Sequence, residues 1–165
     1  MRQSLKAKAL MAHMCCVVSS SIDKPIIGTQ ALDTCHGILF YDRIKRFGVV
    51  GHVTSGYKGI LNEMLAMFED GQNHTIEYMI IPGYRIVEKA DYRTFSEILY
   101  CLKSYDNPQI VFVPLKNYEG GIKLHKSTLT YEFAFNTADG NFVSNKLFFD
   151  IAEHDPRRFT RNRKF

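Results

Sequence analysis

The sequence reads as a single α+β domain, and three observations predict that class. Leu129, Tyr131, Phe133 and Phe135 alternate with Thr130, Glu132, Ala134 and Asn136, the period of two that a half-buried strand imposes. Two near-continuous apolar segments, Cys35 to Tyr41 (CHGILFY) and Phe47 to Val53 (FGVVGHV), flank a short polar stretch, as in a hairpin buried on both faces. Ile60, Leu61, Met64, Leu65 and Phe68 recur at helical spacing, as do Phe95, Ile98, Leu99 and Leu102. With 165 residues, 45% of them hydrophobic, one core forms without a metal or disulfide staple, because a chain of this length buries roughly 70% of its unfolded surface.

The elements follow in order. Met11 to Ser19 is apolar and short and runs into the turn-like Ile22 to Pro25, which predicts a first strand. Ile26 to Leu32 predicts a second, and the Cys35 and Phe47 segments a third and fourth. Tyr57 to Asp70 predicts an amphipathic helix, capped by Ser55 and stopped at Gly71. Thr75 to Ile81 (TIEYMII) is a strand ended by Pro82 and Gly83. Thr94 to Glu97 (TFSE) has the form of a capping box opening a second helix, which Asn107 and Pro108 end. Gln109 to Leu115 is a further strand, followed by a loop at Asn117 to Gly121. Asp139 and Gly140 turn the alternating strand into a hairpin with Phe142 to Phe149.

Composition removes several classes of function. No apolar run reaches the ~18 residues that span a bilayer, and His13 interrupts the best candidate, so no membrane insertion is expected. The formal charge of +4 is local: Arg157, Arg158, Arg161, Arg163 and Lys164 crowd the last nine residues, leaving 16 of the 21 basic residues against 17 acidic ones. A nucleic-acid-binding face is therefore not expected, and the chain divides into a domain over residues 1–156 and a basic tail over 157–165. Cys15, Cys16, Cys35 and Cys101 form no CxxC pair and no zinc spacing, so reduced thiols, no metal and no cofactor are expected. Arg2, Lys6 and Lys8 precede an apolar stretch in the manner of a leader, but no A-x-A site follows, and a cytoplasmic location is expected.

One pair of residues suggests chemistry. A thiol near pKa ~8.5 is mostly protonated at neutral pH and needs a base to become a nucleophile. Cys35 begins one arm of the predicted hairpin and His52 ends the other. They share a face only if the paired indices sum to an odd number, which requires an even loop: four residues, Arg43 to Arg46, make them diagonal neighbours, and six make them directly opposite. His36 points to the other face and is a poorer base. By itself the pair is weak, since a cysteine in an apolar strand is commonly inert core.

The segment Thr29 to Asp42 (TQALDTCHGILFYD), followed by Phe47 to His52 (FGVVGH), resembles the CheD family of chemoreceptor glutamine deamidases. Thr29, Cys35 and His52 stand at the family's threonine, cysteine and histidine with its spacing, and the order of later elements is similar over roughly residues 11 to 150. Where the family has glycines and a serine before the cysteine, this chain has Ala31 to Thr34 (ALDT). A divergent member of the wider Cys-His deamidase superfamily, which includes bacterial toxin deamidases, carries the same core. The resemblance implies a layered α/β/β/α-type sandwich of mixed, largely antiparallel sheets with helices outside, an arrangement that strand alternation permits. It implies a hydrolase acting on a protein glutamine, with no cofactor: Cys35 as nucleophile, His52 as base, Thr29 as its orienter, and the backbone N–H groups of Thr34 and Cys35 as oxyanion donors. Asp33 is the alternative orienter. Another Cys-His acyl-transfer enzyme, an amidohydrolase or transglutaminase, and a non-catalytic binding module using the basic tail are the competing functions. Protein target and oligomeric state have no signature in the sequence.

Overall fold

In the computed structural model, residues 9–54, 57–68, 75–105, 109–115 and 120–143 are described, with the backbone of 153–154. Their strands form two sheets packed face to face. The first runs in the order β10 (Asn141–Phe142), β9 (Thr130–Asn136), β3 (Ile26–Leu32), β1 (Ala9–Ala12), β11 (Glu153–His154), with β8 (Lys123–His125) also on β9. The second runs β2 (Val17–Ser19), β5 (Phe47–Val53), β4 (His36–Asp42), β6 (Ile76–Pro82), β7 (Ile110–Phe112). Both sheets are mixed: β1 pairs in parallel with β3 and β11, β6 in parallel with β7, and the remaining pairs are antiparallel.

The hydrophobic segments around β4 and β5 are explained by two layers of cover. Leu39, Tyr41 and Val50 face the first sheet, meeting Ile27, Leu32, Phe133 and Phe135. Ile38, Phe40, Val49 and Val53 face the other way, against Ile60, Leu61 and Met64 of α1 (Tyr57–Ala66) and Ile98 and Leu102 of α3 (Arg93–Ser104). Gly51 lets α1 come down onto β5, since a Cβ there would sit 2.6 Å from Met64 Sδ. The expected α+β sandwich with helices outside is therefore present, and among the described residues both long helices lie over the second sheet. At the hairpin turn, Asp42 Oδ1 accepts the backbone N–H groups of Ile44 and Lys45, at 3.0 Å each, which closes a four-residue connection, Arg43 to Arg46.

Several local expectations are corrected. Met11 to Ser19 is not one strand: β1 and β2 belong to different sheets, joined by a turn at His13 to Cys16 in which Cys16 N–H donates to His13 O (2.9 Å) and Cys15 takes φ 59. Apolarity continues through the turn because both ends enter the same inter-sheet core. The capping box does not form. The α3 helix starts at Arg93 with no side-chain cap from Tyr92, and Asp91 instead accepts the Arg93 backbone N–H and forks its guanidinium. A short helix, α2 (Tyr84–Lys89), follows Gly83 where the sequence suggested only a break, and Gln109 to Leu115 shortens to β7. The alternating strand β9 is buried on both faces in its middle, with Glu132 6% and Ala134 1% exposed, because Ala134 packs with Ala9, Met11 and Ile26. The Ser55 cap, the Gly71 stop, the Asn107 and Pro108 exit, most of the 117–121 loop, the second hairpin arm beyond 143 and the basic tail lie outside the described residues.

Candidate functional site

Thr29 and His52 meet between the sheets. Thr29 lies on β3 opposite Ala12 of β1 and is fully buried; its hydroxyl donates to Ala12 O at 2.9 Å. The same oxygen lies 2.8 Å from Nδ1 of His52, 2% exposed on β5. A hydroxyl has one proton, and here the carbonyl takes it, so Nδ1 carries the hydrogen of that second bond. The proton of the neutral ring is thereby placed on Nδ1, and Nε2 is left as a bare lone pair. Nε2 is buried and without a hydrogen-bond partner. Burial, with the His13 charge adding to it, lowers the His52 pKa to about 4, so the ring is neutral at pH 7.

Register places Cys35 on the same face. Gly37 pairs with His52 and His36 with Val53, so the index sum is odd, and one further step sets Cys35 across from Thr54. Cys35 and His52 are thus diagonal neighbours, roughly 7 Å apart by ladder geometry, as the four-residue loop requires. They are not hydrogen-bonded to each other. Burial raises the Cys35 pKa, the adjacent Thr34 side chain opposes the rise, and Cys15 and Asp33 add to it. The resting pair is a thiol and a neutral imidazole.

The backbone that presents Cys35 is clamped from the junction of β6 and α2. Gly83 N–H donates to Cys35 O (2.8 Å) and Arg85 N–H to Asp33 O (3.1 Å). Gly83 has to be glycine for this contact, since a Cβ would lie 2.2 Å from Asp33 O. Asp33 does not reach His52; its Oδ2 pairs with Arg85 Nη2 at 3.1 Å. Among the described residues the Thr34 and Cys35 N–H groups have no backbone acceptor. Upstream, β3 is bulged between Thr29 and Leu32, and Ala31 there holds φ 59, a left-handed conformation that glycine adopts without cost.

Sequence reading missed Cys15. In the tight turn its N–H donates to His52 O (3.0 Å), while His52 N–H donates to Cys16 O (3.0 Å), so two residues face one in a bulge that fixes the base. The Cys15 sulfur lies 3.3 Å from Thr54 Oγ1, beside the Cys35 position. No periodic signal announces this, because a strand and a sheet-changing turn of apolar residues look alike in sequence. His36 faces the helices, with its ring 6.4 Å from that of Phe95, as expected. Among the described residues no group of three or more His, Cys, Asp or Glu is placed to hold a metal ion, and no helix is long and apolar enough to cross a membrane. No protein-family model matches the chain, and no curated protein matches it.

Proposed function

We propose that this chain is a cysteine-dependent hydrolase that deamidates a glutamine side chain of a protein substrate to glutamate. The observation that carries the reading is the Ala12–Thr29–His52 relay, which leaves Nε2 bare on the face that Cys35 shares. On substrate entry the Cys35 side chain turns toward His52, and its proton passes to Nε2 as sulfur bonds the carboxamide carbon. The oxyanion is met by the N–H groups of Thr34 and Cys35. Collapse breaks the C–N bond, and protonated His52 gives its proton to departing ammonia. Water, deprotonated by His52, then cleaves the thioester to glutamate and restores the thiol. Because burial disfavours both ions, His52 works as a base within the step rather than as counter-ion to a standing thiolate.

The resemblance of residues 29–52 to the CheD family supports the same reading, with a protein met in the cytoplasm and no cofactor. A CheD-like α/β/β/α arrangement adds a layer over the first sheet, whose outer face carries the buried Ala9, Met11, Ile26 and Ala134. The test is ammonia release from a glutamine-containing polypeptide, with and without an added primary amine. Release should occur in water alone and fall roughly 100-fold or more in Cys35→Ala and His52→Gln. Product dominated by amine transfer would reassign the chain to the transglutaminases, and unchanged release in Cys35→Ala would overturn the reading.

A further inference from the structure

The strand face that carries His52 holds a second polar pair beside the nucleophile. Cys35 O accepts Gly83 N–H at 2.8 Å, so the N–H and C=O of Cys35 point toward β6. Across from Thr54, the residue after β5, Cys35 is then in a non-hydrogen-bonded pair, in which side chains stand closest, with Cα atoms about 4.5 Å apart. Thr54 follows His52 by two residues and shares its face. Cys15 Sγ lies 3.3 Å from Thr54 Oγ1 and is close enough to Cys35 to add to the rise in its pKa. Cys15 and Thr54 are half-buried, whereas Cys35 is 8% and His52 2% exposed.

A carboxamide carbon bonded to the Cys35 sulfur carries its oxygen and its nitrogen on opposite sides. An oxygen met by the Cys35 N–H lies on the β6 side. The nitrogen therefore lies on the β5 side, where His52 has to protonate it. Side chains two residues apart on a strand stand about 7 Å from each other. Two hydrogen bonds of about 2.9 Å each, meeting at one nitrogen, bridge such a gap. In the tetrahedral intermediate the nitrogen lone pair takes the His52 proton, and its N–H groups need an acceptor. A hydroxyl oxygen has two lone pairs, of which the Cys15 thiol takes at most one.

We propose that Thr54 is a specificity-determining residue of this site: its hydroxyl oxygen accepts an N–H of the substrate carboxamide and holds the nitrogen beside His52 Nε2. Cys15 is the positioning residue that aims the hydroxyl. Thr54 exchanges no proton; the C–N bond breaks, His52 gives its proton to nitrogen, and ammonia leaves. The inference rests on the glutamine-hydrolysis reading and adds how the site favours a primary amide over an ester of the same length.

The test compares two blocked heptapeptides of one sequence, with a central glutamine or with the γ-methyl ester of glutamate in its place. Both need the thiol, the base and the oxyanion donors, and only the glutamine presents N–H groups at the leaving atom. Thr54→Val, which keeps the side-chain volume, should lower kcat/KM for the glutamine peptide about tenfold, the worth of one hydrogen bond, and that for the ester by less than about threefold. Thr54→Ser should restore the native ratio of the two. Cys15→Ala should lower the ratio about threefold, and Cys15→Ser, which keeps a donor and an acceptor, should return it. Maleimide alkylation of Cys35, read by peptide mapping, should stay within about twofold in all four variants. Should Thr54→Val fail to fold, the two Cys15 variants decide the matter by the same ratio. Equal slowing of both peptides, or an unchanged ratio, would overturn the assignment and leave glutamine hydrolysis standing. A native chain that cleaves the ester and releases no ammonia from the glutamine peptide would end both.

Discussion

Replacing Thr29 by valine keeps the side-chain volume and removes the one hydroxyl that joins Ala12 O to His52 Nδ1. Two buried hydrogen bonds, of 2.9 and 2.8 Å, disappear together. Each is worth about 1 kcal/mol net, and a buried group left without a partner costs about 1–3 kcal/mol, so the variant should lose about 2–4 kcal/mol by urea denaturation. Thr29→Ser keeps the hydroxyl and should lose only about 1 kcal/mol, from the missing methyl group. The sharper readout is the ring itself. Nitrogen-15 NMR should find His52 protonated at Nδ1 in the native chain and in Thr29→Ser, and in Thr29→Val a population protonated at Nε2, the nitrogen needed as base. Ammonia release should fall accordingly, by roughly 100-fold, as when an orienting group is removed from a triad. A native ring already protonated at Nε2, or a valine variant with unchanged stability and tautomer, would refute the relay.

Three further outcomes follow from the same geometry. His36 and His52 are each held near pKa 4 against 6.5 in the unfolded chain, so the unfolded state binds more protons between those values and stability falls as pH drops from about 6.5 to 4. The loss should approach about 3 kcal/mol per histidine. Urea midpoints of His36→Phe and His52→Gln should each show a pH slope shallower by about one proton, and unchanged slopes would contradict the burial of neutral rings. Ala31→Gly should stabilise the chain by about 0.5–1 kcal/mol in the same assay, since Ala31 sits at φ 59 in the bulge of β3, and a loss would mean that the left-handed conformation is not held in solution. Gly83→Ala puts a methyl 2.2 Å from Asp33 O and should cost about 2 kcal/mol or more while altering the alkylation rate of Cys35; a neutral effect on both would dissolve the clamp.

Much of the second sheet was legible in the sequence because its rules are local. The polar stretch between CHGILFY and FGVVGHV marked the hairpin and left its loop length open; Asp42 closes it at four residues, the case that makes Cys35 and His52 diagonal neighbours. Helix periodicity likewise placed Ile60, Met64, Ile98 and Leu102 on the faces that meet β4 to β6. What was not legible depends on long-range approach. The parallel pairing of β1 with β3 brings Ala12 to Thr29, and nothing near either residue announces a partner 17 positions away. The sheet change at Cys15 is hidden inside an apolar run. Gly83 read as the end of a strand, although what demands glycine there is the backbone of Asp33 from a distant bend. The capping box misled because Thr94 to Glu97 satisfies the pattern one residue inside a helix that Asp91 and Arg93 open instead.

Mass spectrometry of a glutamine-containing protein incubated with the native chain in ordinary and in oxygen-18 water tests the thioester route most directly. Thioester hydrolysis at Cys35 predicts a gain of about 1 Da at a glutamine in ordinary water and about 3 Da in the labelled solvent, because one oxygen of the new carboxylate comes from water. Neither gain should appear with Cys35→Ala. No mass change at any glutamine with the native chain, or the same change with Cys35→Ala, would contradict the central claim that this thiol opens a carboxamide.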